Sequence, residues 1–343
     1  MSEVIERPAH SFVPRSWALG CADEICSDLV KQRLQRFCML SHLFIAIRAF
    51  YVRTAGWGPK DVFRRFLIAS HLIWRYPRDL LNIAGALATP KLLGLLRKEP
   101  IIFMKFTWPV YARGFSTSER ADLLSNHYRF LSQRLSSPFL SDLIEGGAVL
   151  WKEVVGATTL EIRMMVAFPT YGEGEMNLYF NVNLEAVYIL SFVVVPKHLP
   201  GSKVRNSLFV TRLQGTKGRA EEIRLASKSV GDVSPPLVLI AALQGIALGL
   251  DLSAVHGINA HAQVSGEGRP LPPDLISAYD EFWESIEGVR LPSGLYTFPI
   301  PLPEKALKRI KQNHRPRVRS RRAFRARVTE QVRAEIRNVR EPG

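Results

Sequence analysis

The sequence predicts an α+β fold in which basic N-terminal helices precede a mostly antiparallel sheet with packed helices. Three observations support this class. Helical periodicity runs through residues 23–98, four β-rich segments lie between residues 160 and 213, and helices alternate with strands after residue 234. Strands joined by short turns form an antiparallel meander, whereas helical crossovers return the chain to the sheet. Because 47% of the 343 residues are hydrophobic, the chain can bury a sizeable core.

The composition divides the chain into four regions. Residues 1–22 are polar and contain prolines, and we expect them to be disordered. Residues 23–100 form a basic helical region, residues 101–303 an α+β domain, and residues 304–343 a basic C-terminal tail. The boundaries fall where basic sequence changes to nearly neutral sequence and back again.

The basic helical region interleaves arginines with aromatic residues. Pro59 suits the first turn of a helix, and Pro77 and Pro90 mark breaks. A basic amphipathic helix with aromatic side chains can lie on an anionic membrane surface. A helical bundle with a solvated basic face has the same pattern, so both interpretations stay open at this point.

Turn signals and periodicity place the elements of the α+β domain. An irregular linker over residues 100–114 leads to a capping box of Ser116 and Glu119. The predicted strands, rich in Val, Ile, Phe and Tyr, cover residues 160–168, 175–182, 187–195 and 207–213. The later elements are a short helix, an apolar helix capped by Ser234, a buried strand, an amphipathic helix and a short strand, over residues 221–228, 237–250, 255–260, 275–287 and 294–299. The apolar helix has 14 residues, fewer than the roughly 20 of a membrane span, so it is predicted to be a buried core helix.

The net charge of +15 is concentrated at the two ends of the chain. Residues 1–100 carry 15 basic and 8 acidic side chains, residues 101–303 carry 17 and 19, and residues 304–343 carry 14 and 4. A nearly neutral central domain argues against a protein whose main body is a nucleic-acid groove. The absence of a leader pattern at the N-terminus and the use of only three cysteines predict a cytoplasmic protein without a disulfide framework.

The C-terminal basic run is the strongest candidate for anion binding. Phe324 is its only aromatic residue, so sequence-specific RNA recognition is not expected. A solvated terminal helix explains the pattern equally well. If the run does bind a partner, we expect an anionic membrane surface on the inner membrane rather than nucleic acid. The residues predicted to bind anions or lipid are Arg315, Arg317, Arg319, Arg321 and Arg322.

Six segments in order resemble the VirK/YbjX family of bacterial proteins. They are Asn126-His127-Tyr128 with Phe130-Leu131, Gly174-Glu175 with Leu178, Tyr188 to Phe192, Leu213-Gln214-Gly215, Tyr279 to Trp283, and Arg315 to Arg322. The chain departs from the family between Gln214 and Pro236, where Ser227 to Gly231 replaces a more basic segment. The resemblance implies a role in virulence and outer-envelope properties, exerted from the cytoplasm, and no defined biochemical activity.

Two places in the domain are candidates for catalysis. Asp280 and Glu284 lie four residues apart on one helix with Glu281 beside them, and paired carboxylates can act as acid and base. A solvated acidic helix face gives the same spacing. His127 adjoins Tyr128 at the border of an apolar stripe, a position also typical of a core histidine. The candidate catalytic residues are therefore His127, Tyr128, Asp280 and Glu281, with His127 or Glu281 as the base. No metal site is predicted.

A glycine-containing turn after the fourth predicted strand is a candidate phosphate cradle. It comprises Arg212, Gln214, Gly215, Lys217 and Gly218. It resembles the pyrophosphate loop of acetyltransferases of the GNAT superfamily, although Lys217 stands where that pattern has Gly or Ala. The order that follows, long helix, buried strand, amphipathic helix and short strand, also resembles that fold. This resemblance implies acyl-CoA as a cofactor; otherwise no cofactor is expected.

Two hypotheses from different classes follow. In the first, the chain is an accessory protein of envelope homeostasis, docked on the inner membrane by its basic ends. In the second, it is a GNAT-like acyltransferase that binds an acyl donor near Gln214 to Gly218. The first is preferred on sequence, because no catalytic constellation stands out.

Overall fold

The computed structural model describes residues 73–167, 172–196, 206–264, 273–304 and 306–341, with the separate positions 58, 60, 63, 67, 70 and 71. The predicted disordered N-terminus, and nearly all of the basic helical region before residue 73, lie outside these residues. The fold below is that of the described residues.

Four helices precede the sheet and pack on one another. They are α1 (Pro77–Leu87), α2 (Leu93–Lys98), α3 (Thr117–Arg134) and α4 (Ser137–Glu145), and 3-10 turns cover Pro90–Leu92 and Pro100–Thr107. Helix α1 starts at Pro77, where the missing N–H of proline costs nothing. The predicted capping box of α3 is confirmed, because Ser116 accepts from the Glu119 N–H and Glu119 accepts from the Ser116 N–H.

One sheet of eight strands confirms the predicted α+β class. Its strands are β1 (Ala148–Val155), β2 (Thr158–Val166), β3 (Met176–Val182), β4 (Glu185–Val195), β5 (Ser207–Gly215), β6 (Ala254–Gly257), β7 (Val289–Arg290) and β8 (Tyr296–Pro299). Their order in the sheet is β1-β2-β3-β4-β5-β6-β8-β7. All neighbours are antiparallel except β5 and β6, which run parallel. The sequence missed β1, whose residues alternate only weakly between apolar and polar.

Helices connect the last strands. After β5 come α5 (Ala220–Ser229) and α6 (Pro235–Gly249), and after β6 come α7 (Pro273–Ile276), a π-helical turn (Ser277–Glu281) and α8 (Phe282–Ser285). Helix α6 is the predicted core helix; it packs on β3, β4 and β5, and Ser234 occupies its N-cap position. In the described part of the chain, no single helix is long and apolar enough to cross a membrane, and only Pro77–Leu87 with Pro90–Lys98, bent by 86°, meets that test as a pair.

The basic run at the C-terminus folds into a helix that belongs to the core. Helix α9 (Arg315–Asn338) packs along α6 and against β1. Four residues spaced by four form its buried stripe: Phe324, Val328, Val332 and Ile336. The contact is close because α6 presents glycine to α9 at Gly245 and Gly249, where an added Cβ would lie 2.6 Å from α9 atoms. The core cluster therefore extends from Leu80 to Ile336.

Candidate functional site

A buried ion pair between Lys105 and Glu175 lies at the centre of a polar cluster that also contains Tyr111 and Tyr128. Glu175 precedes β3, and its Oε1 lies 2.8 Å from the Nζ of Lys105. Tyr111 donates its hydroxyl to Glu175 Oε1 at 2.6 Å, and Tyr128 on α3 donates to Oε2 at 2.7 Å. All four side chains are buried. The arrangement gives both carboxylate oxygens a donor and gives the carboxylate a counter-charge, which a buried charge needs.

The two tyrosines of this cluster stay protonated. Burial raises the pKa of Tyr111 and of Tyr128, and the Glu175 carboxylate raises both further. Each hydroxyl can therefore act as a permanent donor to Glu175. The cluster links α3, the 3-10 segment and the sheet, and among these residues only Tyr128 was predicted as a site residue.

His127 is held neutral beside this cluster. Its Nδ1 accepts a hydrogen bond from the Val194 N–H at 3.0 Å, so the proton of the neutral ring lies on Nε2. The described residues offer Nε2 no partner. Burial, and then the Lys105 charge, lowers the pKa of His127 to about 3. A neutral, enclosed imidazole with its basic nitrogen already bonded is poorly placed to act as a general base.

The sheet opens between its two parallel strands. Strand β5 pairs with β6 only at Leu208 to Val210, and the last bond of the pair is from the Ile258 N–H to the Val210 carbonyl. At the same point Thr211 is the extra residue of a β-bulge, since Ser191 of β4 pairs with Arg212 and Phe192 pairs with Val210. We call the space between residues 211–213 and residues 258–263 the β5–β6 opening. A bulge beside a separating strand leaves backbone N–H and C=O groups outside the ladder.

Two side chains occupy the edge of this opening. Gln263 donates from Nε2 to the Thr211 carbonyl at 3.1 Å and to the Tyr279 hydroxyl at 2.5 Å. The Leu213 N–H also donates to the Tyr279 hydroxyl, at 3.2 Å. Both side chains are buried, and burial raises the pKa of Tyr279. The backbone groups that the bulge releases are thus satisfied by polar side chains rather than by another strand.

Two arginines beside the opening keep N–H groups without acceptors. Arg212 pairs with Glu173 at 3.1 Å through Nη1, but its buried Nε has no partner in the described residues. The same holds for Nε and Nη2 of Arg113. The backbone N–H of Arg113 binds the Ala262 carbonyl at 2.8 Å, which anchors it next to Gln263. A buried guanidinium donor without an acceptor is costly, and an anion bound beside it would satisfy it.

The rest of the predicted phosphate turn lies further along the chain, at the end of β5 and in the turn that follows. Gln214 and Gly215 end the strand, paired with Ile189 and Tyr188 of β4. Lys217 and Gly218 are exposed in the turn that follows, with Gly218 at a φ of +82°. Helix α5 begins directly after this turn with two carboxylates, Glu221 and Glu222, in its first turn, which disfavours an anion there. Of the five predicted residues, Arg212 is the one at the β5–β6 opening.

The predicted carboxylates line a cavity away from the β5–β6 opening. Asp280 accepts the Ala260 N–H at 2.8 Å, and the Tyr296 hydroxyl lies 3.2 Å from Asp280 and 3.1 Å from Glu284. Burial and these carboxylates raise the pKa of Tyr296 to about 12. The cavity measures about 270 Å³, and Glu281 faces it as an exposed side chain. In the described part of the chain, no group of three His, Cys, Asp or Glu residues could hold a metal ion.

The predicted anion-binding arginines mostly contact their own chain. Arg315 donates to the Ile310 carbonyl, Arg317 pairs with Asp232 at 2.6 Å, and Arg321 donates to the Gly231 carbonyl. Arg322 pairs with Glu304 at 3.1 Å, and Arg319 is exposed. The charge of the run is therefore partly used to fix α9 on the domain.

Sequence reasoning missed Lys105, Tyr111, Arg113 and Gln263. One signal was available, because Lys105 interrupts the apolar run IIFMKF and a lysine in such a run must find a buried partner. Gln263 carried no signal, since its role depends on where β5 and β6 separate.

These features define the class of protein. It has an α+β fold whose sheet, in the described residues, is antiparallel except for the β5–β6 pair, and polar side chains lie at the β5–β6 opening. Residues 56–334 match the family described as "Protein of unknown function (DUF535)", and the chain belongs to this family. It is similar to "Uncharacterized protein YbjX" of Escherichia coli (strain K12), with 23% identity over 273 residues, 77% of this chain and 80% of that protein. The predicted VirK/YbjX membership is confirmed. No solved structure gives a significant match.

Proposed function

We propose that the chain is an acyltransferase that takes its acyl group from an acyl-CoA-type donor bound at the β5–β6 opening. The observation that carries the proposal is the coincidence of three features at one point. The parallel pair separates there, β5 bulges at Thr211, and Arg113 and Arg212 hold guanidinium N–H groups without acceptors. The order α6, β6, α7–α8, β8 further supports it, because it is the order that the GNAT resemblance predicts.

The chemistry assigns separate tasks to these groups. An acceptor amine or hydroxyl attacks the thioester carbonyl, the new bond to carbon forms, the C–S bond breaks, and the thiolate takes up the proton that the acceptor loses. Arg113 and Arg212 pair with the anionic part of the donor. Of the two predicted bases, Glu281 is exposed and accessible to an acceptor, whereas His127 is enclosed.

Binding of acetyl-CoA to the full chain tests this proposal. We expect measurable binding by calorimetry, weakened at least about tenfold by Arg212→Ala and by Arg113→Ala, because each removes charge-assisted hydrogen bonds. Arg224→Ala is the matched control: this arginine is exposed on α5 and pairs with Glu221. The Arg224→Ala variant should bind acetyl-CoA with the same affinity as the wild type. Absence of binding to the wild type, or equal loss in all three variants, contradicts the proposal.

A second proposed function is docking on an anionic membrane surface, from which the protein would affect the bacterial envelope. It is supported by Phe63, Leu67 and Trp74, which are 63%, 52% and 79% exposed and whose spacing in the sequence, four and seven residues, is typical of one helix face. Exposed Arg75 and Arg78 follow this face. Aromatic and basic side chains together are typical of helices at the membrane interface.

Liposome flotation tests the docking function. We expect the chain to float with liposomes that contain phosphatidylglycerol and much less with phosphatidylcholine alone, because the attraction is partly electrostatic. Replacing Phe63, Leu67 and Trp74 with alanine should remove most of the flotation. The control variant is Leu184→Ala with Val289→Ala, two exposed apolar residues elsewhere. Equal flotation of both variants would refute docking through this face.

A further inference from the structure

We propose that the groove between α6 and α9 is a binding site for a free long-chain fatty acid. The groove has a volume of about 630 Å³, within the range of small-ligand sites. Its walls come from α6, α9, the residues after α8 and the segment 301–304. This site is separate from the β5–β6 opening, so the inference does not depend on the proposed acyl transfer.

The walls of the α6–α9 groove suit a single alkyl chain. Its apolar lining consists of Leu237, Leu248, Ile286, Pro301, Leu302, Pro303, Ile310 and Val318. Ala323 and Ala326 of α9 face it with short, exposed side chains and so leave it open. Gln244 fixes one wall by accepting the Leu302 N–H at 2.8 Å. The volume corresponds to roughly 20 water-sized groups, enough for one chain and too few for the two chains of a phospholipid.

The charges at the groove favour a carboxylate head group. Arg322 and Arg325 both bind Glu304, each at 3.1 Å, so two guanidiniums face one carboxylate. Arg325 is largely withdrawn from solvent, and burial together with the Arg322 charge lowers its pKa. A second carboxylate from a ligand would stabilise both cations and could bind a guanidinium through two oxygens.

The rim of the groove adds positive charge. Lys308, Arg309 and Lys311 are exposed on either side of the lining residue Ile310, and within the described chain no carboxylate pairs with them. Two further acids line the groove, Glu287 and Glu330, and Glu330 is paired with Arg333 at 3.2 Å. The cationic rim would guide an anionic amphiphile to the groove.

Displacement of fluorescent cis-parinaric acid by oleate tests the site on the full chain. We expect saturable binding with one oleate per chain. Ala326→Trp should fill the groove and weaken binding at least about tenfold, since it removes the space for the chain. Ala334→Trp is the matched control, because Ala334 is an exposed alanine of α9 that does not line the groove. Both variants change a solvent-exposed position, and circular dichroism verifies that each keeps its fold.

Two further ligands test whether the groove recognises a free fatty acid rather than any alkyl chain or a phospholipid. Oleyl alcohol has the same chain without the carboxylate, and we expect it to bind about tenfold more weakly. Phosphatidylglycerol vesicles should not displace the probe from the groove. Equal binding by the two tryptophan variants, no binding of oleate, or displacement by vesicles but not by oleate would each overturn the proposal. Acetyl-CoA binding should be unchanged in Ala326→Trp, so failure of either proposal is visible on its own.

Discussion

Replacing Lys105 with methionine is expected to lower the free energy of unfolding by about 3–5 kcal/mol. Methionine is unbranched and apolar and is shorter than lysine by only one atom, so most of the space in the core stays filled. The change leaves the Glu175 carboxylate without its counter-charge at a fully buried position, with only the hydroxyls of Tyr111 and Tyr128 as donors. A buried charge that loses its partner is far more costly than an exposed one.

Urea unfolding, followed by circular dichroism, measures this effect. Lys228→Met is the control, because Lys228 is an exposed lysine on α5, and it should change stability by less than about 0.5 kcal/mol. The double variant Lys105→Met with Glu175→Gln should regain part of the loss, since a neutral amide replaces the unpaired charge. If Lys105→Met resembled the Lys228 control, Glu175 would not be held as an ion by Lys105.

The class of fold could be predicted because it depends on local patterns. The antiparallel strands follow from β-rich segments joined by short turns, and the α3 capping box follows from Ser116 and Glu119, three residues apart. Both are interactions between close neighbours in sequence. The contact of Tyr128 with Glu175 joins residues 47 positions apart, and neither residue alone indicates it. Long-range contacts of this kind depend on the packing of whole elements.

The structure of the C-terminal basic run could not be predicted from its composition alone. Fourteen basic against four acidic side chains suggest a tail that binds anions. The apolar stripe from Phe324 to Ile336 was present in the same sequence at a spacing of four, which is typical of a helix with one buried face. The arginines lie around that stripe, and several pair with acids of other elements, such as Arg327 with Glu153 at 2.8 Å. The net charge of the run therefore does not predict that α9 packs against α6 and β1.

The candidate site was only partly predictable for a related reason. Arg212 was identified because it ends a predicted strand near a glycine turn. Arg113 and Gln263 reach the same place through the backbone contact at Ala262 and the bond to Thr211. Those contacts occur where β5 and β6 separate after Val210, a point that coincides with the β4–β5 bulge and that no sequence motif marks.

The same substitution, glycine to alanine, should have opposite signs in α6 and α1. In both helices alanine gains about 0.5–1 kcal/mol of intrinsic helix stability. At Gly245 the new Cβ would lie 2.6 Å from the Thr329 carbonyl oxygen of α9 and 2.8 Å from the Val332 Cβ, so the helices must move apart. At Gly85 of α1 it would meet nothing within 4 Å. We therefore expect Gly245→Ala to lose about 1–3 kcal/mol and Gly85→Ala to gain stability.

Urea unfolding gives the two signs, and limited trypsin digestion locates the effect. Because α9 is rich in arginine and is held by its stripe against α6, loosening it should expose its peptide bonds. Gly245→Ala should be cleaved within residues 315–338 faster than the wild type, whereas Gly85→Ala should not. A stabilised Gly245→Ala protein with unchanged cleavage would mean that α9 does not rest on the glycine face of α6, and that the basic run is a tail after all.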